Sequence, residues 1–150
     1  MKIIVLCGPS RYGKTSTLKK LIEDLKKEGV EIEKLTNRHG DGDVRVVIEW
    51  RGRRVGVCTG GDDKPIITEN FQFLRGNACD IGLTGLRINN RQWKLYRTLI
   101  KCCEPEIPQF VWKMSNGDVK DSKWADVNVD VDSVVVSQMK VMLEHEVSKR

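Results

Sequence analysis

The spacing of apolar residues changes several times along the chain, and each change marks an element. Residues 3–7 are an unbroken apolar run with no alternation. That pattern fits a strand buried on both faces, as in a parallel sheet. From Lys14 to about Glu28 the period becomes helical. Leu18, Leu21, Ile22 and Leu25 share one face, Lys26 and Lys27 occupy the last turn, and Gly29 follows as a stop. Residues 36–43 are polar and contain glycine, which predicts a loop. Residues 44–50 and 53–59 read as strands. Only Arg51-Gly52 separates them, so they predict an antiparallel hairpin. Gly60-Gly61-Asp62-Asp63 predicts a turn, and a helix from about Pro65 to Gly76 carries its proline near the first turn.

The second half alternates in the same way. Residues 80–86 form a strand, and Asn89 or Asn90 caps a helix reaching about Cys103. Two prolines, Pro105 and Pro108, break that helix. Residues 109–113 form a short strand and residues 115–126 a polar surface loop. A final helix starts near Asp130 or Asp132, with Val135, Met139, Met142, Leu143 and Val147 on one side. This order predicts an α/β chain of three layers: a mainly parallel five-stranded sheet with one antiparallel edge strand, and helices on both faces.

Composition narrows the picture. With 150 residues, 39% hydrophobic and 31% charged, the chain suits one globular domain. Its apolar runs fall far short of the ~20 residues that cross a bilayer, so no membrane partner is expected. The start of the chain lacks the pattern of a signal peptide. The five cysteines are odd in number and no two have CxxC spacing, which predicts reduced thiols in a cytoplasmic protein. Only His39 and His145 are available beside them, so no zinc site is expected. A net charge of +5 suits an anionic ligand.

The candidate chemistry lies between the first strand and the first helix. Gly8-Pro9-Ser10-Arg11-Tyr12-Gly13-Lys14-Thr15 matches GxxxxGK[ST] in full. Glycine lets the backbone turn tightly around an anion. Backbone N–H groups from about Tyr12 to Ser16 then point into one concavity, and the positive end of the helix dipole adds to them. Lys14 supplies a point charge for the β- and γ-phosphates, and the Thr15 hydroxyl a ligand for Mg²⁺. The phosphate-binding candidates are therefore Gly8, Ser10, Arg11, Tyr12, Gly13, Lys14, Thr15 and Ser16.

On these residues the chain resembles the P-loop nucleoside triphosphatase superfamily. More loosely, it is similar to small bacterial and phage ATP-binding proteins with a Cys-Thr-Gly-Gly-Asp turn near the middle. In outline it also resembles the GTP-binding adaptor proteins of molybdopterin-dinucleotide synthesis. The superfamily resemblance implies Mg²⁺-dependent binding of a nucleoside triphosphate and a carboxylate at the end of a second strand. Glu49 and Asp62 compete for that place. In the hairpin, the second strand can run parallel to residues 3–7 and deliver its carboxyl end to the loop's edge of the sheet. Glu49 then faces the opposite end, so Asp62 is preferred as metal ligand, with Asp63 second. A competing reading makes this pair a turn with a helix N-cap. The hairpin followed by Thr-Gly-Gly also resembles the second switch of small GTPases, except that Cys58 stands where their acid would be.

Arg87 ends the 80–86 strand on the same edge. There it is a candidate for neutralising charge on a transferring phosphoryl group, against the commoner reading of a solvated arginine. Thr36, Asp41 or Asp43 are candidates to sense a γ-phosphate, and a plain connector explains that loop equally well. Arg87, Arg91, Lys94, Arg97 and Lys101 form a basic stripe beside Trp93 and Tyr96. The wet face of an amphipathic helix is favoured there over a nucleic-acid or acidic partner. The Asn-Lys-x-Asp segment of guanine-specific GTPases has no counterpart, which favours ATP over GTP. Three functional classes remain: an ATPase with catalytic Lys14, Asp62 and Arg87; a small kinase; and a binding module without turnover.

Overall fold

The computed structural model describes residues 1–37, 42–88, 93–113 and 125–148. Among them are six strands and four helices. The strands are β1 (Lys2–Gly8), β2 (Ile32–Asn37), β3 (Val44–Trp50), β4 (Arg53–Cys58), β5 (Ile81–Arg87) and β6 (Gln109–Trp112). The helices are α1 (Lys14–Lys27), α2 (Lys64–Gly76), α3 (Trp93–Cys103) and α4 (Ala125–Ser148). The strands form one sheet in the order β2-β3-β4-β5-β1-β6. β1 pairs in parallel with β5 and β6, β4 pairs in parallel with β5, and β3 runs antiparallel to both β2 and β4.

β1 sits inside the sheet, and every residue from Ile3 to Gly8 is buried. Its unbroken apolar run follows from that position, since both faces are covered. On one face, Leu18, Leu21 and Leu25 of α1 and Val135, Met139 and Leu143 of α4 pack against Ile4, Leu6 and Val57. On the other, Ile67 and Phe71 of α2 and Leu95 and Leu99 of α3 pack against Ile3, Val5 and Cys7. The three-layer α/β arrangement agrees with the hydrophobic pattern.

Three expectations need correction. The sheet has six strands, because residues 32–37 form β2 at its edge. Most of β2 is exposed and its sequence Ile-Glu-Lys-Leu-Thr-Asn carries no clean alternation, so hydrophobic period could not reveal it. Thr36 and Asn37 accordingly belong to a strand and not to a loop. The antiparallel strand, β3, is not the edge but lies one place inside it. Finally, α4 begins at Ala125, before Asp130, so the predicted loop over 115–126 overlaps the helix. The alternating valines and acids there are weak in helix propensity, so no helical signal precedes Asp130 in the sequence. Asn89, Asn90, Arg91, His39 and Asp41 lie outside the described residues.

The hairpin holds. Arg51 and Gly52 both take positive φ, 52° and 75°, as a two-residue turn with the twist of its flanking strands requires. β4 then runs parallel to β5 and so to β1, and its carboxyl end reaches the edge where β1 ends.

Candidate functional site

Several elements deliver their ends to one place. β1 ends at Gly8, directly opposite Arg87 of β5. The Ile88 N–H donates to the Gly8 carbonyl at 3.0 Å, and the Lys113 N–H donates to the Cys7 carbonyl at 2.7 Å. The root of the 8–16 loop is thereby fixed from both sides. Gly8 has no room for a side chain, because a Cβ would stand 2.9 Å from the Lys113 carbonyl oxygen. Within the loop, Arg11 and Gly13 both take left-handed backbone, at φ 64° and 70°. Gly13 is the residue from which α1 springs.

The two helices that start on this edge begin differently. Asp63 caps α2, its Oδ1 accepting the Ile66 N–H at 2.8 Å, and Pro65 sits in the first turn. α1 begins at Gly13 with no side-chain cap and no acidic residue in its first turn. Its first N–H groups therefore lack an anionic or hydroxyl acceptor of their own.

Lys14 lies at the centre. It is 7% exposed, and its Nζ donates to the Pro9 carbonyl at 2.7 Å. Asp62 Oδ1 stands 3.9 Å away on an exposed side chain, so this ion pair is loose. Burial is the main force holding the Lys14 ammonium below the ordinary lysine range; Asp62 opposes the shift, and the Arg87 and Lys113 charges add to it. Arg87 Nε is buried and has no hydrogen-bond partner among the described residues.

On the other side of α1 the Thr15 hydroxyl donates to Asp43 Oδ1 at 3.1 Å. Thr59 Oγ1 donates to the same oxygen at 3.1 Å, and its own backbone carbonyl lies 3.4 Å from Thr15 Oγ1. A hydroxyl, a carboxylate and a carbonyl thus converge. Such an all-oxygen set suits a hard cation such as Mg²⁺, which is content with few protein ligands and keeps several waters. The open pocket of about 170 Å³ at this place is lined by Arg11, Gly13, Lys14 and Thr15 from the loop, Asp43 from the start of β3, and Thr59, Gly60, Gly61 and Asp62 after β4. That volume is below the 300–1,000 Å³ of a pocket enclosing a whole drug-sized ligand and matches one end of a ligand.

The structure brings together Gly8, Arg11, Gly13, Lys14, Thr15, Asp62 and Arg87 from the predicted set. Ser10, Tyr12 and Ser16 belong to the same loop but do not line the pocket. Asp63 does not line it either, and the N-cap reading is the one its geometry fills. Lys94, Arg97 and Lys101 stand on the exposed side of α3, opposite buried Leu95, Leu99 and Cys103. All five cysteines are free, and burial raises each thiol, with Cys7, Cys58 and Cys103 pushed up to about 12. None is poised as a thiolate nucleophile.

Several residues escaped sequence reasoning. The sequence offers Asp43 only as a candidate phosphate sensor. Since β3 is antiparallel, it is its amino end that meets the loop, and the argument that sends Glu49 away brings Asp43 in. Asn70, 1% exposed, donates to the Gly60 carbonyl at 2.9 Å and to Thr84 Oγ1 at 3.1 Å, holding the turn that carries Asp62. A lone amide on the apolar side of α2 was its only signal. Lys113 is fully buried behind the loop and pairs with Asp132 of α4.

Fold and site together define an α/β protein with a polar pocket at the carboxyl edge of its parallel strands. Comparison with protein-family models, curated proteins and solved structures gives no match to this chain. No described helix is long and apolar enough to cross a membrane.

Proposed function

We propose that the chain binds the phosphates of a nucleoside triphosphate, with Mg²⁺, in the loop from Gly8 to Ser16 and hydrolyses the terminal phosphate. The observation that carries this reading is the uncapped start of α1 beside a buried, loosely paired lysine. Uncapped amides and a desolvated ammonium are costly to leave unanswered. A polyphosphate answers both. The GxxxxGK[ST] pattern and its P-loop resemblance point to the same ligand. ATP is favoured over GTP, because the guanine-reading segment has no counterpart in the sequence.

In this reading the backbone amides of the loop hold the β-phosphate, and Lys14 leaves the Pro9 carbonyl to reach the β- and γ-oxygens. Thr15 and Asp43 would hold Mg²⁺, with Asp62 lining the same pocket, and the ion would supply charge neutralisation on the phosphate oxygens. Arg87, held at the root of the loop with an unsatisfied Nε, contributes a second cation as charge shifts to the leaving group. Positioning and charge account for the rate, as water attack on a phosphate asks little covalent chemistry of the protein.

Calorimetry with Mg·ATP, followed by a phosphate-release assay without added acceptor, tests this. Heat of association together with steady phosphate release is the expected result. Binding followed by ATP consumption only when a nucleoside or sugar is added would reassign the chain to the kinases. No heat with either purine triphosphate would overturn the reading.

A further inference from the structure

The Gly13 carbonyl accepts two hydrogen bonds, from the Thr17 N–H at 2.9 Å and from Lys113 Nζ at 3.2 Å, with Thr17 Oγ1 3.0 Å away. Lys113 also donates to Thr17 Oγ1 at 2.9 Å and pairs with Asp132, whose Oδ1 accepts from Thr17 Oγ1 at 2.9 Å. Lys113 is 0% exposed and Asp132 18%. An ammonium is not buried without reason, since its desolvation costs several kcal/mol. Helix-start carbonyls do not normally need one; the Thr17 amide alone completes the helical bond.

The geometry of the peptide unit gives the ammonium a task. A trans peptide is planar, with its C=O and N–H directed to opposite sides. The carbonyl of Gly13 and the N–H of Lys14 belong to one such plane. The Thr17 amide and the Lys113 ammonium on the carbonyl fix that plane and so fix the direction of the Lys14 amide. A cation on the oxygen also polarises the unit and makes the amide a stronger donor. Left-handed Gly13, at φ 70°, has no side chain to restrict it and depends on such bonds.

We infer that Lys113 is a positioning residue: from behind the loop it aims and strengthens the Lys14 backbone amide toward the bound anion. Asp132 balances its charge, and the pair ties α4 to the loop. This inference rests on the nucleotide reading above for its ligand, though not for its amide.

The test uses two variants of the full chain. Lys113→Met/Asp132→Leu removes both charges and leaves neither partner stranded. Asp132→Asn keeps the Lys113 bonds to Gly13 and Thr17. The double variant is expected to melt cooperatively and bind Mg·ATP about tenfold more weakly. In ¹⁵N–¹H spectra of the ligand-free protein, its Lys14 amide proton should move upfield while the amides of Leu18 to Leu25 hold their positions. Asp132→Asn should keep affinity within threefold. Unchanged affinity and an unmoved Lys14 amide in the double variant would overturn the inference. So would an Asp132→Asn loss as large as tenfold, which would make the pair a mere brace; this arm decides alone if the double variant does not melt cooperatively. Wild-type protein that binds no Mg·ATP sinks the nucleotide reading, whereas the Lys14 amide shift still reports on Lys113.

Discussion

Two helices begin on the same edge of the sheet, a few residues from one another in space, and only one of them is finished. α2 starts with an acid that accepts its own amide and a proline that has no amide to satisfy. α1 starts with a bare glycine, and the nearest cation, Lys14, bends back onto a carbonyl for want of a better partner. Both helices have the same dipole and the same backbone chemistry. The difference is that α2 has a side-chain cap of its own whereas α1 has neither a side-chain cap nor an acidic residue in its first turn. Incomplete local chemistry inside a well-packed frame is the physical mark of a site, since proteins seldom leave buried polar groups unanswered elsewhere.

The sharpest way to break this contrast is Lys14→Ala. If the ammonium serves the ligand and not the fold, affinity for Mg·ATP falls by at least about a hundredfold, roughly 3 kcal/mol, the size of a charge-assisted hydrogen bond with its Coulomb part. Stability of the ligand-free protein holds or rises, because a desolvated cation has been removed. Calorimetry and a thermal melt read the two halves. A large drop in melting temperature would place Lys14 in the framework and remove the contrast.

Asp43 comes next. Asp43→Asn is expected to weaken Mg·ATP binding about tenfold and to tighten binding of metal-free ATP, since a carboxylate repels phosphate when no metal lies between them. Asp62→Asn should act in the same direction but less, because its side chain is 54% exposed and water screens it. Titrations with and without Mg²⁺ separate the two. If Asp43→Asn lowers both affinities equally, its carboxylate is holding Thr15 and Thr59 together and not a metal.

The finished helix gives the converse result. Asp63→Ala should cost about 1 kcal/mol of stability, the usual price of an N-cap, and leave Mg·ATP affinity within twofold. Chemical denaturation measures the first and calorimetry the second. A strong loss of affinity would give Asp63 a role at the site beside its capping bond.

How much of this was legible in the sequence follows from what each residue answers to. The 8–16 loop announces itself because its chemistry is local: glycines, a lysine and a threonine at fixed spacing on one turn. β1 and α1 are legible because burial imposes a period on them. Asp62 could be placed by reasoning about strand direction. Asp43 depends on which end of an antiparallel strand meets the loop, and β2 has almost no buried side to leave a pattern. Lys113 and Asp132 meet across 19 residues and two elements. Neither carries a local signal: one looks like the end of a strand and the other like a helix cap. Contacts made only by the folded sheet order are invisible to spacing.

The mildest test uses protons alone. Burial first, then Arg87 and Lys113, hold Lys14 below its ordinary 10.5, against the pull of Asp62 and Cys7. In the unfolded chain the same ammonium titrates at its ordinary value. Between the depressed folded value and 10.5 the unfolded chain keeps a proton that the folded chain has lost. The cost of burying the charge is therefore fully present below this window, and the Lys14 contribution to ligand-free stability rises with pH across it. Affinity must run the opposite way. Phosphate favours the charged lysine, so binding weakens over the same window and takes up a proton. A pH series of melting temperature and Mg·ATP affinity should show these opposed slopes, with affinity falling roughly severalfold as Lys14 deprotonates. Subtracting the same series for Lys14→Ala removes the other lysines and the thiols, and Lys14→Arg, which keeps its charge, should flatten the affinity slope. Parallel slopes in the wild-type difference would mean that Lys14 is answered by the fold itself, and that α1, like α2, was complete before any ligand arrived.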